Sequence, residues 1–251
     1  MSETTTSLEG KWALITGAGK RIGATIAARL HATGANVAVH YFRSSESADA
    51  LAGKLNAKRA GSAFAVGADL RETDHLEKLI DDVVAISGRL DMLINNASSF
   101  FPTEFGKVTE SDWTDLVNSN LKAPLFLSQA ALPHLRAGNG SIINMIDIHA
   151  RRPLRDHHVY GAAKAGLAML TRSLARDLAP EVRVNGIAPG AILWPDDGMP
   201  DTVKQNIVGK IPLGRPGEPD DIASTVLFLV RDAPYITGQI IAVDGGRSIG
   251  W

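Results

Sequence analysis

The sequence lacks cysteine altogether, and its 251 residues carry a formal net charge of only −1. The first absence excludes disulfide bonds, thiolate metal ligands and a catalytic thiol. With 26 Lys and Arg against 27 Asp and Glu, the chain has no electrostatic field for holding nucleic acid or an anionic membrane. No stretch approaches the ~18 apolar residues of a membrane span. The N-terminal MSETTTSLEG also lacks the apolar core of a signal peptide. We therefore expect a cytoplasmic protein with no nucleic-acid or membrane partner.

Strand-like and helical segments alternate along the whole chain, which predicts an α/β fold with a parallel sheet covered by helices. The predicted strands are 12–16, 37–41, 63–67, 92–95, 141–146, 182–187 and 240–243. The predicted helices are 22–33, 45–58, 76–86, 113–135, the helix carrying residues 160 and 164, and 220–230. There is no repeat or dividing linker, so we expect a single domain, 1–251. Residues 191–216, rich in Pro, Gly and Asp, are interpreted as a substrate loop, either a lid or a disordered insertion.

The segment from Gly17 to Gly23 follows the first strand and opens the first helix, as a dinucleotide-binding loop requires. Glycines such as Gly17, Gly19 and Gly23 let the backbone approach a pyrophosphate. A helix N-terminus, here around Ile22, favours its negative charge. A glycine turn between a strand and a helix can occur without binding a nucleotide. The residues at the end of the second strand are therefore needed as further evidence.

The end of the second strand indicates NADP rather than NAD. NAD-binding folds usually place an acidic residue there to hold the ribose 2′-hydroxyl. Residues 40–44 read HYFRS instead. Arg43 can bind a phosphate through two hydrogen bonds, Ser44 can donate to it, and Lys20 or Arg21 can add charge. We therefore expect NADPH as the cofactor.

Polar residues also follow the third and fourth strands, at Asp69-Leu70 and Asn96-Ala97. Ligands of open α/β sheets bind at the carboxyl ends of the strands, so both pairs can line one cleft. Each could equally cap the next helix. Asn120 lies within a predicted helix, where its side chain needs hydrogen-bond partners if it is buried.

The chemistry is expected within residues 141–166, where a buried strand leads through a polar loop into a helix. Tyr160 and Lys164 are four residues apart and so share one face of that helix. An ammonium beside a phenol should lower the phenol's pKa from ~10, giving a proton donor usable at neutral pH. Asp147 leaves the carboxyl end of the strand, where ligands bind. Taken alone, the Tyr-Lys spacing also fits a solvated surface helix.

Together these residues resemble the short-chain dehydrogenase/reductase family over nearly the whole chain. The matching elements are Thr16-Gly17-x5-Gly23, Asn95-Asn96-Ala97, Asn120, Tyr160-x3-Lys164, Pro189-Gly190 and Asp244-Gly245-Gly246. The resemblance implies a Rossmann-type, doubly wound sheet of seven parallel strands, with helices on both faces. It also implies a nicotinamide cofactor, contacted in part by Pro189 and Gly190, and commonly a homotetramer. In this family Tyr160 would be the proton donor, Lys164 would bind the nicotinamide ribose, and Asn120 would support a proton-relay water.

Departures from the family pattern resemble its pteridine reductase branch. Arg21 replaces the third loop glycine, Asp147 replaces the usual catalytic Ser, and Ser98 replaces the Gly of Asn-Ala-Gly. The branch implies that Arg21 reaches the cofactor phosphates and the pterin edge. It implies that Ser98 contacts cofactor and substrate, and that Phe100 stacks on the pterin. Phe42 departs from the branch, whose trypanosomatid members carry His there.

An ionised Asp147 independently favours reduction of C=N over C=O. A carboxylate cannot donate to a ketone oxygen, and its charge opposes the developing oxyanion. An imine nitrogen gains a proton instead, and an aminopyrimidine presents N–H groups that a carboxylate accepts. We predict an NADPH-dependent pteridine reductase that takes dihydrobiopterin, dihydromonapterin or dihydrofolate to the tetrahydro form. The alternatives are a carbonyl reductase acting on a ketone or 3-oxoacyl thioester, and a non-catalytic NADP-binding regulator.

Three weaker features complete the prediction. His149, His157 and His158 lack the helical i, i+4 pair or carboxylate cluster of a metal site, so we predict solvated histidines and no metal. The arginines at 151, 152 and 155 are interpreted as charges on a loop, with the glutamyl tail of a folate as the alternative role. Trp251, if exposed, would prefer burial, which favours an oligomer.

Overall fold

The protein, in a computed structural model that describes residues 7–194 and 198–249, is built on one seven-stranded sheet. The strand order is β3-β2-β1-β4-β5-β6-β7, and every neighbouring pair is parallel. The strands are β1 Trp12–Ile15, β2 Asn36–Tyr41, β3 Ala63–Gly67, β4 Met92–Asn95, β5 Ser141–Met145, β6 Arg183–Pro189 and β7 Ile240–Val243. The doubly wound, Rossmann-type parallel sheet is therefore confirmed.

Helices cover both faces of the sheet. They are α1 Arg21–Ala32, α2 Ser45–Asn56, α3 Thr73–Ser87, α4 Glu110–Val117, α5 Ala123–Ala137, α6 His158–Asp177, α7 Asp201–Val208 and α8 Pro219–Leu227. One apolar cluster joins the sheet to α1, α2 and α8, and a second joins it to α3, α5 and α6. Because β4 and β5 are buried along their whole length, they read as apolar runs without alternation. Among the described residues, no helix is long and apolar enough to cross a membrane.

The long helical region predicted over 113–135 is confirmed, but it is not one continuous α-helix. A π-helical turn, Asn118–Lys122, separates α4 from α5. Pro124 stands at the start of α5, and it has no N–H to donate to the Asn120 carbonyl four residues earlier. Single π-helical turns of this kind occur often at functional sites.

The prediction for 191–216 as a loop is wrong in part, because the segment contains α7. Val203 and Ile207 are four residues apart and lie on one face of this helix. The flanking Pro200 and Gly209 are typical of loops, so this short apolar spacing did not indicate a helix. None of the residues of α7 is buried. The helix therefore lies on the surface beside the cleft instead of within the core.

The order of the strands places the site. From β1 the chain winds outward to β2 and β3, then returns to place β4 on the other side of β1. The loops after β1 and β4 consequently diverge, and a crevice opens at the carboxyl ends of these strands.

Candidate active site

Three adjoining cavities follow the carboxyl edge of the sheet. The first, of about 370 Å³, lies at the ends of β2 and β3. The second, of about 680 Å³, lies at the glycine loop and α2. The third, of about 550 Å³, lies at the ends of β5 and β6. Gly17 lines the first two and Arg21 the last two, whereas Ser98 lines all three. The three cavities therefore form a single elongated cleft.

Close packing of the glycine loop requires glycine at two positions. A Cβ on Gly23 would lie 2.6 Å from the Gly17 carbonyl oxygen, and one on Gly19 would lie 2.9 Å from the Ser44 hydroxyl. Gly17 has a φ of 62° and Arg21 a φ of 56°. The left-handed conformation costs a residue with a side chain about 1–2 kcal/mol. Arg21 therefore carries backbone strain at a position where glycine would carry none.

His40 ties the glycine loop to the sheet. Its Nδ1 accepts a hydrogen bond from the Gly17 N–H at 3.0 Å, which leaves the proton on Nε2, 3.2 Å from the Ala68 carbonyl. Burial lowers the pKa of His40 to about 4, so the ring is neutral at pH 7. Sequence reasoning missed this role, although a histidine within an apolar strand is a signal for a buried polar contact.

The cationic group predicted to bind a phosphate is brought together in the second cavity. Lys20, Arg21, Arg43 and Ser44 all line it. The Arg43 guanidinium lies 4.8 Å from the centre of the Phe42 ring, where a cation is attracted to the aromatic face. Arg43 is exposed, and a phosphate can reach it from solvent.

The first cavity contains Asp69 and Leu70 as predicted, together with Arg71, which sequence reasoning missed. Arg71 forms ion pairs with Asp69 at 2.7 Å and with Asp115 at 3.2 Å. Its hydrogen bonds hold the pKa of Asp69 below the usual range. Arg71 also lies 4.9 Å from the Phe42 ring, so this ring contacts two guanidinium groups.

Asn96 and Ala97 join β4 to the glycine loop. The Asn96 amide donates to the carbonyl oxygens of Thr16 at 2.8 Å and Gly17 at 3.2 Å. The Thr16 hydroxyl accepts from the backbone N–H groups of both Asn96 and Ala97, each at 2.9 Å. These bonds fix the crevice between β1 and β4, and both residues line the cleft.

Asn120 is fully buried, and its side chain has partners on both sides. Its Oδ1 accepts from the Ser98 hydroxyl at 2.7 Å. Its Nδ2 donates to the carbonyls of Ser99 at 2.8 Å and Leu116 at 3.0 Å. The side chain of Asn120 therefore holds the loop after β4 in place and brings Ser98 into the cleft.

Asp147, Tyr160 and Lys164 meet in the third cavity. The Tyr160 hydroxyl donates to Asp147 Oδ2 at 2.8 Å, and Asp147 Oδ1 accepts from the His149 backbone N–H at 2.8 Å. The buried Lys164 ammonium donates to the Met145 carbonyl at 2.8 Å and lies 5.7 Å from the Tyr160 ring centre. A hydrogen bond thus joins Asp147 to Tyr160, and the bond to the end of β5 holds Lys164 beside them.

The expected lowering of the Tyr160 pKa is wrong for this arrangement. Burial raises the pKa of Tyr160, and the charge of Asp147 raises it further. Burial also lowers the pKa of Lys164 to about 8, against the opposing charge of Asp147. Tyr160 is therefore protonated at neutral pH, because burial and the adjacent carboxylate both disfavour the phenolate.

Phe100 lines the third cavity and is 54% exposed, so it is not a core residue. Its ring stacks on His157 at 4.6 Å between centroids, and it meets Tyr160 edge-on at 4.8 Å. His149 and His157 both line this cavity, and each is partly exposed. The start of α6 brings His157 against Phe100, which is a tertiary contact without a local signal. His158 is exposed.

The remaining wall of the third cavity comes from the chain after β6 and from the C-terminal turn. Pro189 and Gly190 line it at the end of β6, as predicted, and Ile22 lines it from α1. Residues of the segment 191–216, interpreted above as a substrate loop, line this wall, whereas sequence reasoning missed the contribution of the turn after β7. The further lining residues include Trp194, Met199, Ile207 and Arg247. The arginines 151 and 152 line other cavities, and Arg155 is exposed.

Comparison with known proteins relates this cleft to reductases. A family model described as enoyl-(acyl carrier protein) reductase matches residues 17–248. Pteridine reductase 1 of Leishmania tarentolae is 38% identical over 98% of this chain and 99% of its own length. The 3-oxoacyl-[acyl-carrier-protein] reductase FabG of Staphylococcus aureus (strain Mu50 / ATCC 700699) is 40% identical over 94% of this chain and 97% of its own. A blue fluorescent protein from a metagenomic library, solved in complex with NADPH, superposes with a TM-score of 0.90. That protein is 36% identical, and the match covers 96% of this chain and 99% of that one.

Proposed function

Because the chain belongs to the short-chain dehydrogenase/reductase family of oxidoreductases, we propose that it reduces a dihydropterin to the tetrahydro form with NADPH. The observation that carries this proposal is the carboxylate of Asp147, hydrogen-bonded to the Tyr160 hydroxyl at 2.8 Å. The exposed Phe100 ring beside it supports a flat aromatic substrate.

The cleft suits NADPH along its length. The glycine loop suits a diphosphate because it precedes the N-terminus of α1, and a Cβ at Gly19 or Gly23 would collide with Ser44 or Gly17 and distort the loop. Arg43, Ser44 and Lys20 are the donors for a 2′-phosphate in the second cavity. The remaining proposed cofactor contacts are Gly17, Arg21, Ile22, Asp69, Leu70, Asn96, Ala97, Tyr160, Lys164, Pro189 and Gly190. When bound, NADPH supplies the hydride. A 36% identical protein solved with NADPH supports this assignment.

Asp147 acts on the substrate edge. Both of its oxygens already accept hydrogen bonds in the protein, and each carboxylate oxygen has a second lone pair for an N–H of an aminopyrimidine. A carboxylate in this position would oppose a developing ketone oxyanion, because it can neither donate to it nor neutralise it. Reduction of an imine creates no such oxyanion, since the nitrogen takes up a proton as the carbon takes up hydride.

Tyr160 supplies that proton. It is protonated at neutral pH because burial and Asp147 raise its pKa. Lys164, whose pKa lies at about 8, is largely protonated at pH 7 and can favour the phenolate as it forms. Asn120 positions the loop carrying Ser98 and supports the relay that returns a proton to Tyr160.

The second candidate is reduction of a 3-oxoacyl thioester. It is favoured by the 40% identity to the Staphylococcus aureus reductase, which slightly exceeds the 38% identity to the Leishmania pteridine reductase. Against it stands Asp147, for the electrostatic reason given above. A non-catalytic NADP-binding role is disfavoured by the intact arrangement of Tyr160, Lys164 and Asn120.

Exchange of one residue separates the two reactions. We expect wild-type protein to oxidise NADPH with dihydrobiopterin and to act poorly on acetoacetyl thioesters. Asp147→Ser should lower the first activity and raise the second, because a serine hydroxyl can donate to an oxyanion. Efficient thioester reduction by the wild type, without pterin reduction, would favour the second candidate instead.

We further propose a cytoplasmic homotetramer. Exposed apolar side chains occur at Trp113, Leu125 and Met169, on α4, α5 and α6, and at Phe228 and Ile249, near α8 and β7. Two apolar surfaces allow two different two-fold contacts, and a tetramer of D2 symmetry needs at least two. Trp251, named above as a candidate interface residue, lies outside the described residues.

A further inference from the structure

The third cavity contains a cation that the proposed pterin chemistry leaves without a role. Arg247 lies in the turn after β7 and lines this cavity together with Asp147 and Tyr160. We propose that Arg247 binds a carboxylate on the substrate's tail, so that the preferred substrate is a dihydropterin of the folate type. This inference rests on the proposed pterin reduction and names its substrate class.

The Arg247 guanidinium has no anionic partner among the residues that the structure describes. Salt bridges engage other arginines, such as Arg71 and Arg89, but no hydrogen bond or ion pair joins the Arg247 side chain to another described residue. The neighbouring acid, Asp244, is already engaged. Its Oδ1 accepts from the Gly246 N–H at 2.9 Å and its Oδ2 from the Ser248 N–H at 2.7 Å.

The acidic side chain that lines the cavity also has hydrogen-bond partners within the protein. Asp147 is the one acid among the described lining residues. Its oxygens accept hydrogen bonds from Tyr160 and from the His149 backbone. Arg247 is half-buried and lines this cavity, so its guanidinium is available for an anion on a ligand and can bind a carboxylate through two parallel hydrogen bonds.

The turn that carries Arg247 is tightly held. Gly245 has a φ of 62° and Gly246 a φ of 87°, and a Cβ on Gly246 would lie 2.9 Å from Pro212 Cγ. The Arg247 N–H also donates to the Asp244 carbonyl at 3.1 Å. Only the side chain of Arg247 is therefore free to adjust, and the cation stays close to the cavity without a ligand.

The walls of the cavity favour a particular kind of tail. Trp194, Met199 and Ile207 line the same cavity as Arg247. These apolar side chains suit an aromatic spacer in the substrate's tail, and the Arg247 guanidinium suits a carboxylate at the end of that tail. The benzoyl-glutamate tail of dihydrofolate has this chemistry, whereas the short hydroxylated side chain of dihydrobiopterin carries no charge. A pantetheine phosphate on an acyl thioester is the other source of an anion.

Steady-state kinetics with saturating NADPH test the proposal. The substrates are dihydrofolate, dihydrobiopterin and acetoacetyl-CoA, the last compared with its phosphate-free N-acetylcysteamine thioester. The proteins are wild type, Arg247→Gln, Arg247→Lys and the control Arg172→Gln. Arg172 is exposed on α6 and does not line the cavity, so its substitution makes the same charge change elsewhere.

We expect the wild type to prefer dihydrofolate, and Arg247→Gln to raise the KM for dihydrofolate by about tenfold or more, as loss of a charge-assisted hydrogen bond implies. Values for dihydrobiopterin should stay unchanged, Arg247→Lys should recover part of the loss, and Arg172→Gln should match the wild type. Equal losses on both pterins, or no loss on either, would overturn the inference while leaving pterin reduction intact. A loss confined to acetoacetyl-CoA would assign Arg247 to a phosphate instead. Absence of all pterin reduction by the wild type would refute the proposed function itself.

Discussion

Lowering the pH from 7 to 4 is expected to destabilise the protein through His40. The buried ring is neutral, accepts a hydrogen bond from the Gly17 N–H and donates one to the Ala68 carbonyl. Protonation of Nδ1 would remove the acceptor of Gly17 and place a charge in the interior. Protonation of His40 is therefore unfavourable in the folded state, and the pKa of His40 is lowered to about 4.

The size of the effect follows from linkage. An unfolded chain protonates this histidine near pH 6.5 and the folded protein near 4. At pH 7 both states are neutral and His40 contributes no pH dependence. As the pH falls from 6.5 to 4, only the unfolded state gains the proton. Stability then falls by about 1.4 kcal/mol for each unit of pKa difference, or roughly 3 kcal/mol in total.

Urea unfolding between pH 7.5 and 4 measures this loss, with His40→Asn as the test variant and His158→Asn as the control. Carboxylates whose pKa is lowered, such as Asp69, lose their contribution at lower pH and in all variants. We expect the wild type and His158→Asn to lose stability in parallel, whereas His40→Asn should be less stable at pH 7.5 and lose about 3 kcal/mol less on acidification. If His40→Asn followed the wild-type pH profile, this account of His40 would be wrong.

Four further predictions concern the cofactor, the chemistry, the substrate and the assembly. Arg43→Glu should raise the KM for NADPH far more than the KM for NADH, and equal use of both cofactors by the wild type would contradict the assigned phosphate site. Tyr160→Phe should lower kcat by roughly 10²–10⁴ with NADPH binding nearly intact, whereas Lys164→Ala should impair both; unchanged kcat in Tyr160→Phe would mean another proton donor. Phe100→Ala should raise the KM for dihydropterin several-fold and spare NADPH affinity, whereas a fall in melting temperature alone would remove the stacking role. Light scattering at micromolar concentration should give the mass of a tetramer, and a monomer would refute the proposed assembly.

The sheet could be predicted because each strand is a short apolar run between turn residues, a pattern that parallel strands produce locally. The glycine loop and the pair Tyr160 and Lys164 could be predicted for a similar reason. Spacing along the chain decides which residues share a turn or a helical face. Because all the strands are parallel, the loops that follow them lie at the same carboxyl edge of the sheet, and the glycine loop and the Tyr160–Lys164 pair are therefore expected there.

What the sequence could not predict depends on contacts between distant segments. Arg71 pairs with Asp115 across 44 positions, and His157 stacks on Phe100 across the cleft. The direction of the Tyr160 pKa shift depends on how deeply the phenol is buried and on which charged neighbour lies nearest to it. The spacing of Tyr160 and Lys164 predicted an ammonium near the phenol, but in the folded chain the Asp147 carboxylate lies closer to it.

The central claim is hydride transfer from NADPH to the imine carbon of a dihydropterin. It is tested most directly with NADPH carrying deuterium at the nicotinamide C4, by mass spectrometry and NMR of the pterin product. We expect one deuterium per NADPH oxidised, located on the ring carbon next to the newly protonated nitrogen, with Tyr160→Phe slowing its appearance. An unlabelled pterin, together with deuterium transfer to the carbonyl carbon of a 3-oxoacyl thioester, would contradict the account.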